Sequence, residues 1–380
     1  MPETFPSPAQ QAMGDASWTR REILQQAGTL RATQAILRDR QPAIDAFLAP
    51  LLAREELRII LTGAGTSAFI GESLVPWLSA VLDRPVEAIA TTDIVSAPTL
   101  HLRSDVPTLL VSFGRSGSSP ESIAAVDLVD TIVGSAHHLI ITCNADGELA
   151  RRAGGNTHVV VLPEATHDRA FAMTSSFTAM MFAALSIFTG IAAMEARADM
   201  IVPAVADAIA AADAPMATLA GRGFDRVVYL GSGLFKGLAR EAALKLLELT
   251  DGALVTTFDT PLGFRHGPKT IVTDRTLVIV FVSNDPLTRR YDLDIIEELR
   301  RDGRCGAVLA ISAQPIDGEA IVVAGLEHAA DADLLFPFIV PAQLFGLHNS
   351  LRLGLTPDTP NASGTVNRVV QGVRIHAIGA

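Results

Sequence analysis

The chain has 380 residues, enough for two ordinary domains, with 49% apolar but only 5% aromatic residues. Ala, Val, Leu and Ile must therefore fill the cores, as in parallel sheets covered by helices. A net charge of −11, from 30 basic and 41 acidic residues, argues against the basic footprint that nucleic-acid binding needs, but not against a local pocket for a small anion.

Residues 1 to about 16 contain Pro and Ser, without the basic and apolar regions of a signal peptide. From Thr19 to Arg54 the pattern is helical, one or two helices. Strands are expected near Arg58–Leu61, Val86–Ala90, Thr108–Ser112, His138–Thr142 and His158–Leu162, with room for a helix between most pairs. Phe177 to Met194 is uncharged for 18 residues, but Thr178, Ser186, Thr189 and Gly190 favour a core helix over a membrane span. A helix from Met200 to Leu219 leads to strands near Val227–Leu230, Leu254–Phe258, Leu277–Phe281, Ala307–Ile311 and Ile321–Val323. The last helix, Leu335 to Leu353, contains Pro337 and Pro341, which leaves its start open. The boundaries expected are an N-terminal segment and helix at 1–45, α/β domains at 46–200 and 201–358, and a tail at 359–380. Cys143 and Cys305 lie in or beside apolar strands without metal-ligand spacing, which fits a reduced, cytoplasmic setting.

The two halves repeat at an offset of 168 residues: Gly63 and Gly65 superpose on Gly231 and Gly233, and the strand from Thr108 on that from Thr276. Each half is thus a small parallel α/β unit with a Gly-rich turn after its first strand, and two such units usually frame a ligand site. The turn after Val111, SFGRSGSSPES, gathers Arg115, Ser116, Ser118 and Ser119 ahead of a helix that begins at Pro120. A helix start offers unpaired N–H groups, the hydroxyls donate, and Gly114 and Gly117 let the backbone approach. One serine there would be a plain cap; four such groups point to phosphate. Thr66 and Ser67, after the first glycine pair, should lie beside it. Neither a dinucleotide fingerprint nor a P-loop is present.

In the second half Glu241, Lys245 and Glu248 share one helical face, and His266 follows in a Gly/Pro-bounded turn. A Glu–Lys–Glu face alone is most often a solvated or ion-paired surface. With a histidine it supplies the minimum for proton shuttling near neutral pH. In the tail, Asn367, Arg368 and Gln371 leave two options, a loose end or a docked functional one.

These motifs together resemble the sugar isomerase (SIS) superfamily over nearly the whole chain. Thr62-GAGTS, Gly114-RSGSS, Glu241-AALKLLE and Arg265-HGP are similar to the turns and catalytic helix of the isomerase half of glucosamine-6-phosphate synthase. FGRSGSSPES, PLGFRHGPK and VNRVVQGV read like the AgaS-type tagatose-6-phosphate ketose/aldose isomerases. The resemblance implies two tandem SIS domains of flavodoxin-like three-layer αβα build, in a homodimer or larger assembly. It implies phosphate held by Ser67, Arg115, Ser116, Ser118 and Ser119, sugar contact from Thr66, and a tail with Asn367, Arg368 and Gln371 near the substrate. Glu248 would move a proton between C1 and C2, with Glu241 and Lys245 in support. His266 would assist ring opening, from its own or a neighbouring subunit. Gln371 stands where the synthase has a lysine, and no glutaminase domain precedes the pair, which disfavours amino-sugar synthesis. The expected partner is a sugar phosphate, with no metal, organic cofactor, nucleic acid or membrane. The expected reaction is galactosamine 6-phosphate to tagatose 6-phosphate and ammonia. Plain isomerisation, fructosamine-6-phosphate deglycation and a non-enzymatic sensor are the alternatives.

Overall fold

The computed structural model describes residues 13–152, 154–370 and 372–377. In chain order, α1 (Trp18–Leu24) and α2 (Gln26–Leu52) precede β1 (Arg58–Thr62), α3 (Thr66–Val81), β2 (Val86–Ala88), α4 (Thr91–Ser96) and α5 (Pro98–His101). Then come β3 (Thr108–Gly114), α6 (Pro120–Ile132), β4 (Ala136–Thr142), β5 (Thr157–Val161), α7 (Ser175–Thr189) and α8 (Ile191–Gly221). The second half has β6 (Arg226–Gly231), α9 (Leu234–Leu249), β7 (Val255–Asp259), α10 (Pro261–Phe264) and β8 (Thr276–Phe281). It ends with α11 (Pro286–Asp302), β9 (Ala307–Ser312), β10 (Ala320–Val322) and α12 (Asp331–Arg352). Each expected strand is found, with ends shifted by no more than two residues.

Two compact units result. One, here the first-sheet unit, comprises Thr29–His167, Ser175–Glu195 and Thr365–Ala380. The second-sheet unit comprises Met1–Gly28, Asp168–Thr174 and Ala196–Gly364. The first sheet runs β2-β1-β3-β4-β5 and the second β7-β6-β8-β9-β10, all parallel. Both follow one order, in which the first strand sits between the second and third. Chain direction therefore reverses beside the first strand, at β1/β3 and at β6/β8, where open α/β sheets bind ligands.

The repeated glycines have two distinct causes. A Cβ on Gly63 would lie 2.6 Å from Ser67 backbone, and one on Gly231 would lie 2.3 Å from the Phe235 carbonyl oxygen, so the following helix requires bare backbone there. Gly65 and Gly233, with φ of 55° and 56°, take the left-handed turn into α3 and α9.

Strand alternation sends successive side chains to opposite faces. In the second-sheet unit Val228, Leu230, Val278 and Val280 pack with Phe264 and with Ile295, Ile296 and Leu299 of α11. Their neighbours Tyr229 and Phe281 face the other way: Phe281 stacks with Phe338 of α12 at 6.4 Å and meets the tilted Phe235 ring of α9. Helix α9 and the segment after β7 thus cover opposite faces. In the first-sheet unit Ile60, Leu110 and Ile140 pack with Ala125, Val126 and Val129 of α6.

The apolar run at 177–194 is divided by Gly190 (φ 101°) between α7 and α8, and Ser175 to Phe188 are all buried. α12 begins at Asp331, earlier than expected, and continues through Pro337 and Pro341. Among the described residues two helices, α8 and α12, are long and apolar enough to cross a membrane by length and composition. The apolar window of α12 is 94% buried inside the protein and that of α8 33%.

Candidate active site

In the first-sheet unit β3 delivers a buried Ser112 and Gly114 into the turn Arg115–Ser119. Ser119 holds the N-cap position of α6, but its hydroxyl donates to Ser122 Oγ at 2.7 Å and makes no capping bond. The plain-cap reading of Ser119 therefore fails, since its side chain makes no capping bond to the first turn of α6. Thr66 and Ser67 are buried in the first turn of α3, after a strand whose Thr62 pairs with Ser112. The two hydroxyl-bearing turns thus leave neighbouring strand ends.

The turn is clamped by the loop after β4, which sequence reasoning did not single out. Asn144 Nδ2 donates to the Ser116 carbonyl at 2.8 Å, and the amides of Glu148 and Leu149 donate to Ser118 Oγ at 3.1 Å and the Gly117 carbonyl at 2.8 Å. Thr142 Oγ1 donates to the Gly114 carbonyl at 2.7 Å. A turn-forming Asn-Ala-Asp-Gly after a strand was the available signal.

Arg115 is buried, and its Nη2 donates to the Arg368 carbonyl at 2.6 Å, within the same unit. The tail therefore docks beside the turn, with Arg368 half-buried and Asn367 exposed, while Gln371 lies outside the described residues.

The corresponding point of the second sheet is filled by carboxylates. Asp285 caps α11, accepting from the amides of Leu287 at 3.1 Å and Thr288 at 2.8 Å. Asp292 accepts from Ser232 Oγ at 2.7 Å and the Ser283 amide at 2.9 Å. Asp331 accepts from Ser283 Oγ at 2.5 Å and the Asn284 amide at 2.8 Å. Burial pushes Asp292 up to about 6 and raises Asp331 as well.

On α9, Glu241 and Lys245 are completely buried and Glu248 is partly open, with 21% of its side chain exposed. Lys245 Nζ lies 3.5 Å from Glu241 Oε1 and forms an ion pair with Glu248 Oε2. The row is ion-paired, with Glu241 and Lys245 buried rather than solvated, because α9 is packed between α12 and strands β6 and β7. His266 is exposed in the turn after α10, beside Gly267 at φ 121°. It follows Phe264 on the face opposite α9, so the second sheet lies between Glu248 and His266. The structure does not bring these two together within one chain. Among the described residues no cluster of three or more His, Cys, Asp or Glu is placed to hold a metal.

The SIS domain family matches residues 51–190, the span of the first sheet. The chain is 47% identical to the D-galactosamine-6-phosphate deaminase AgaS of Escherichia coli, over 99% of both chains. It is 44% identical to the protein of the same name from Shewanella sp. (strain ANA-3), over 95% of this chain and 92% of that one. The crystal structure of tagatose-6-phosphate ketose/aldose isomerase from Escherichia coli superposes with a TM-score of 0.88 at 42% identity, covering 99% of this chain and 100% of that one. With two sheets of one topology and near full-length identity of this order, the chain belongs to the AgaS family of SIS-domain proteins.

Proposed function

We propose that the protein is an enzyme that converts galactosamine 6-phosphate to tagatose 6-phosphate and ammonia. The carrying observation is the asymmetry between the two switch points: carboxylates fill the second, while the first presents a serine-rich turn, a buried arginine and a helix start whose N-cap serine makes no capping bond. A dianionic phosphate suits such a turn. Ser67, Arg115, Ser116, Ser118 and Ser119 hold it, Thr66 touches the sugar, and Asn367 and Arg368 of the tail lie near the substrate.

Ring opening, assisted by His266, exposes the C1 aldehyde. Glu248 takes the C2 proton, giving an enolamine, and returns a proton to C1, giving the ketimine. Water adds at C2 and ammonia leaves, so that one water is consumed for each ammonia released. A positioned base of this kind contributes about 10²–10⁴-fold. The names of the relatives support the substrate and product. The single-sheet separation of Glu248 from His266 supports a homodimer or larger assembly in which a neighbouring copy donates His266.

Ammonia release from galactosamine 6-phosphate tests the reaction: Glu248→Gln should abolish turnover and leave substrate binding. Near-normal turnover of that variant removes Glu248 from the mechanism, and ketose without ammonia favours plain isomerisation. Mixing inactive Glu248→Gln chains with impaired His266→Asn chains should raise turnover above that of either alone if the two residues serve one site from different copies.

A further inference from the structure

The turn that carries His266 is held in an unusual way. Phe264 is its last buried apolar residue, and His266, Gly267 and Pro268 are exposed. Lys269 and Thr270, on the C-terminal side of the turn, border an open pocket of about 330 Å³ that reaches Arg304 and Cys305. The two basic residues that bracket His266 both reach one carboxylate on α11. Arg265 Nε donates to Glu298 Oε2 at 2.7 Å, and Lys269 Nζ pairs with Glu298 Oε1. Lys269 also reaches Asp302 at 2.5 Å. The hydrogen bonds from Lys269 and then Arg265 hold the Glu298 carboxyl below its usual range.

We infer that Glu298 is a positioning residue for His266, tethering its turn from both sides of the imidazole. The inference rests on the ring-opening role given to His266 above. Glu298 itself touches no substrate: its part is to fix where the imidazole stands, in an exposed turn with Gly267 at φ 121°. One carboxylate accepting from two cations restrains the turn as a unit, which neither cation would do alone.

The test is a double-mutant cycle on ammonia release, with kcat and KM measured separately. Glu298→Gln should lower kcat by roughly 10- to 100-fold and leave KM within about 2-fold. The same change in a His266→Asn background should lower the residual kcat no further, and Glu298→Asp should restore part of the loss. An unchanged kcat in Glu298→Gln overturns the inference, and so does an equal loss in the His266→Asn background, which would mark a merely structural role. Wild-type turnover in His266→Asn itself overturns the role of His266 and this inference with it. Should Glu298→Gln not fold, Lys269→Gln, which keeps the Arg265 tether, must show a smaller loss that likewise disappears without His266; its absence overturns the inference.

Discussion

Gly147 tests the phosphate turn from behind, without touching any group assigned to the ligand. A Cβ there would lie 2.6 Å from the Ser116 carbonyl oxygen, 3.1 Å from Gly117 Cα and 3.2 Å from Gly117 C. All three are backbone atoms and cannot swing aside. Ordinary contact begins at 3.4 Å, so in Gly147→Ala the Ser116 carbonyl must retreat by roughly 0.8 Å. The peptide is planar, so the Gly117 amide moves with it. The Ser118 hydroxyl, bound to the next amide of the same loop, is pulled out of place as well. Losing one charge-assisted hydrogen bond to phosphate costs about 1.5–3 kcal/mol, or about 10- to 150-fold in affinity. Steady-state ammonia release, with inorganic phosphate as competitive inhibitor, measures this. KM and the phosphate inhibition constant should rise together by that factor, with kcat within a few-fold, because Glu248 sits on α9. A folded variant whose phosphate inhibition constant equals that of wild type would refute the phosphate turn, as would a fall in kcat at constant KM.

Burial and the adjacent Asp168 carboxylate push Glu22 up to about 8. The folded chain therefore keeps a proton that the unfolded chain releases near 4.5, and stability declines as pH rises from about 4.5 to about 8, at about 1.4 kcal/mol per pH unit. Urea unfolding of Glu22→Gln should lack this decline, and an unchanged pH slope would refute the assignment. His348 and then Arg20 hold Asp213 well below its usual range, so its contribution is complete above about 3.8 and is lost as pH falls further. Asp213→Asn should cost about 1.5–3 kcal/mol at pH 7 and progressively less in acid, and a pH-independent difference in melting would count against it. Lys245→Met leaves two carboxylates facing one another without their shared cation and should cost about 3–5 kcal/mol. A loss below about 1 kcal/mol in denaturant unfolding would contradict the buried row.

Most strands were legible as short apolar runs, several of them closing in Gly, Asn or Asp, and the 168-residue offset repeated part of the evidence in both halves. The turn at Arg115–Ser119 was legible for a related reason: hydroxyls packed between two glycines at a strand end have few other uses. The orientation of Ser119 was not, since its hydroxyl could equally cap its own helix or reach Ser122. The Asn144 clamp depends on β4 lying next to β3, a pairing that local sequence does not state. The burial of Glu241 and Lys245 was not legible, because helical spacing does not show that α12 packs on α9. Contacts such as Glu22 with Arg169 and Ala170, at a separation of nearly 150 residues, leave no local trace.

The aspartates at the second switch point make its anion part of the chain. A tethered carboxylate has no dissociation into solvent, and its effective concentration over Ser283 and Asn284 is fixed by the fold rather than by the cell. Free phosphate competing there would have to displace a ligand that cannot leave. On the proposed reading the saturation curve of one chain is then that of a single site, without cooperativity inside the chain. The duplicated site has become a strut: through Asp331 it binds the first turn of α12, and through α12 the helix that carries Glu248, to the end of β8.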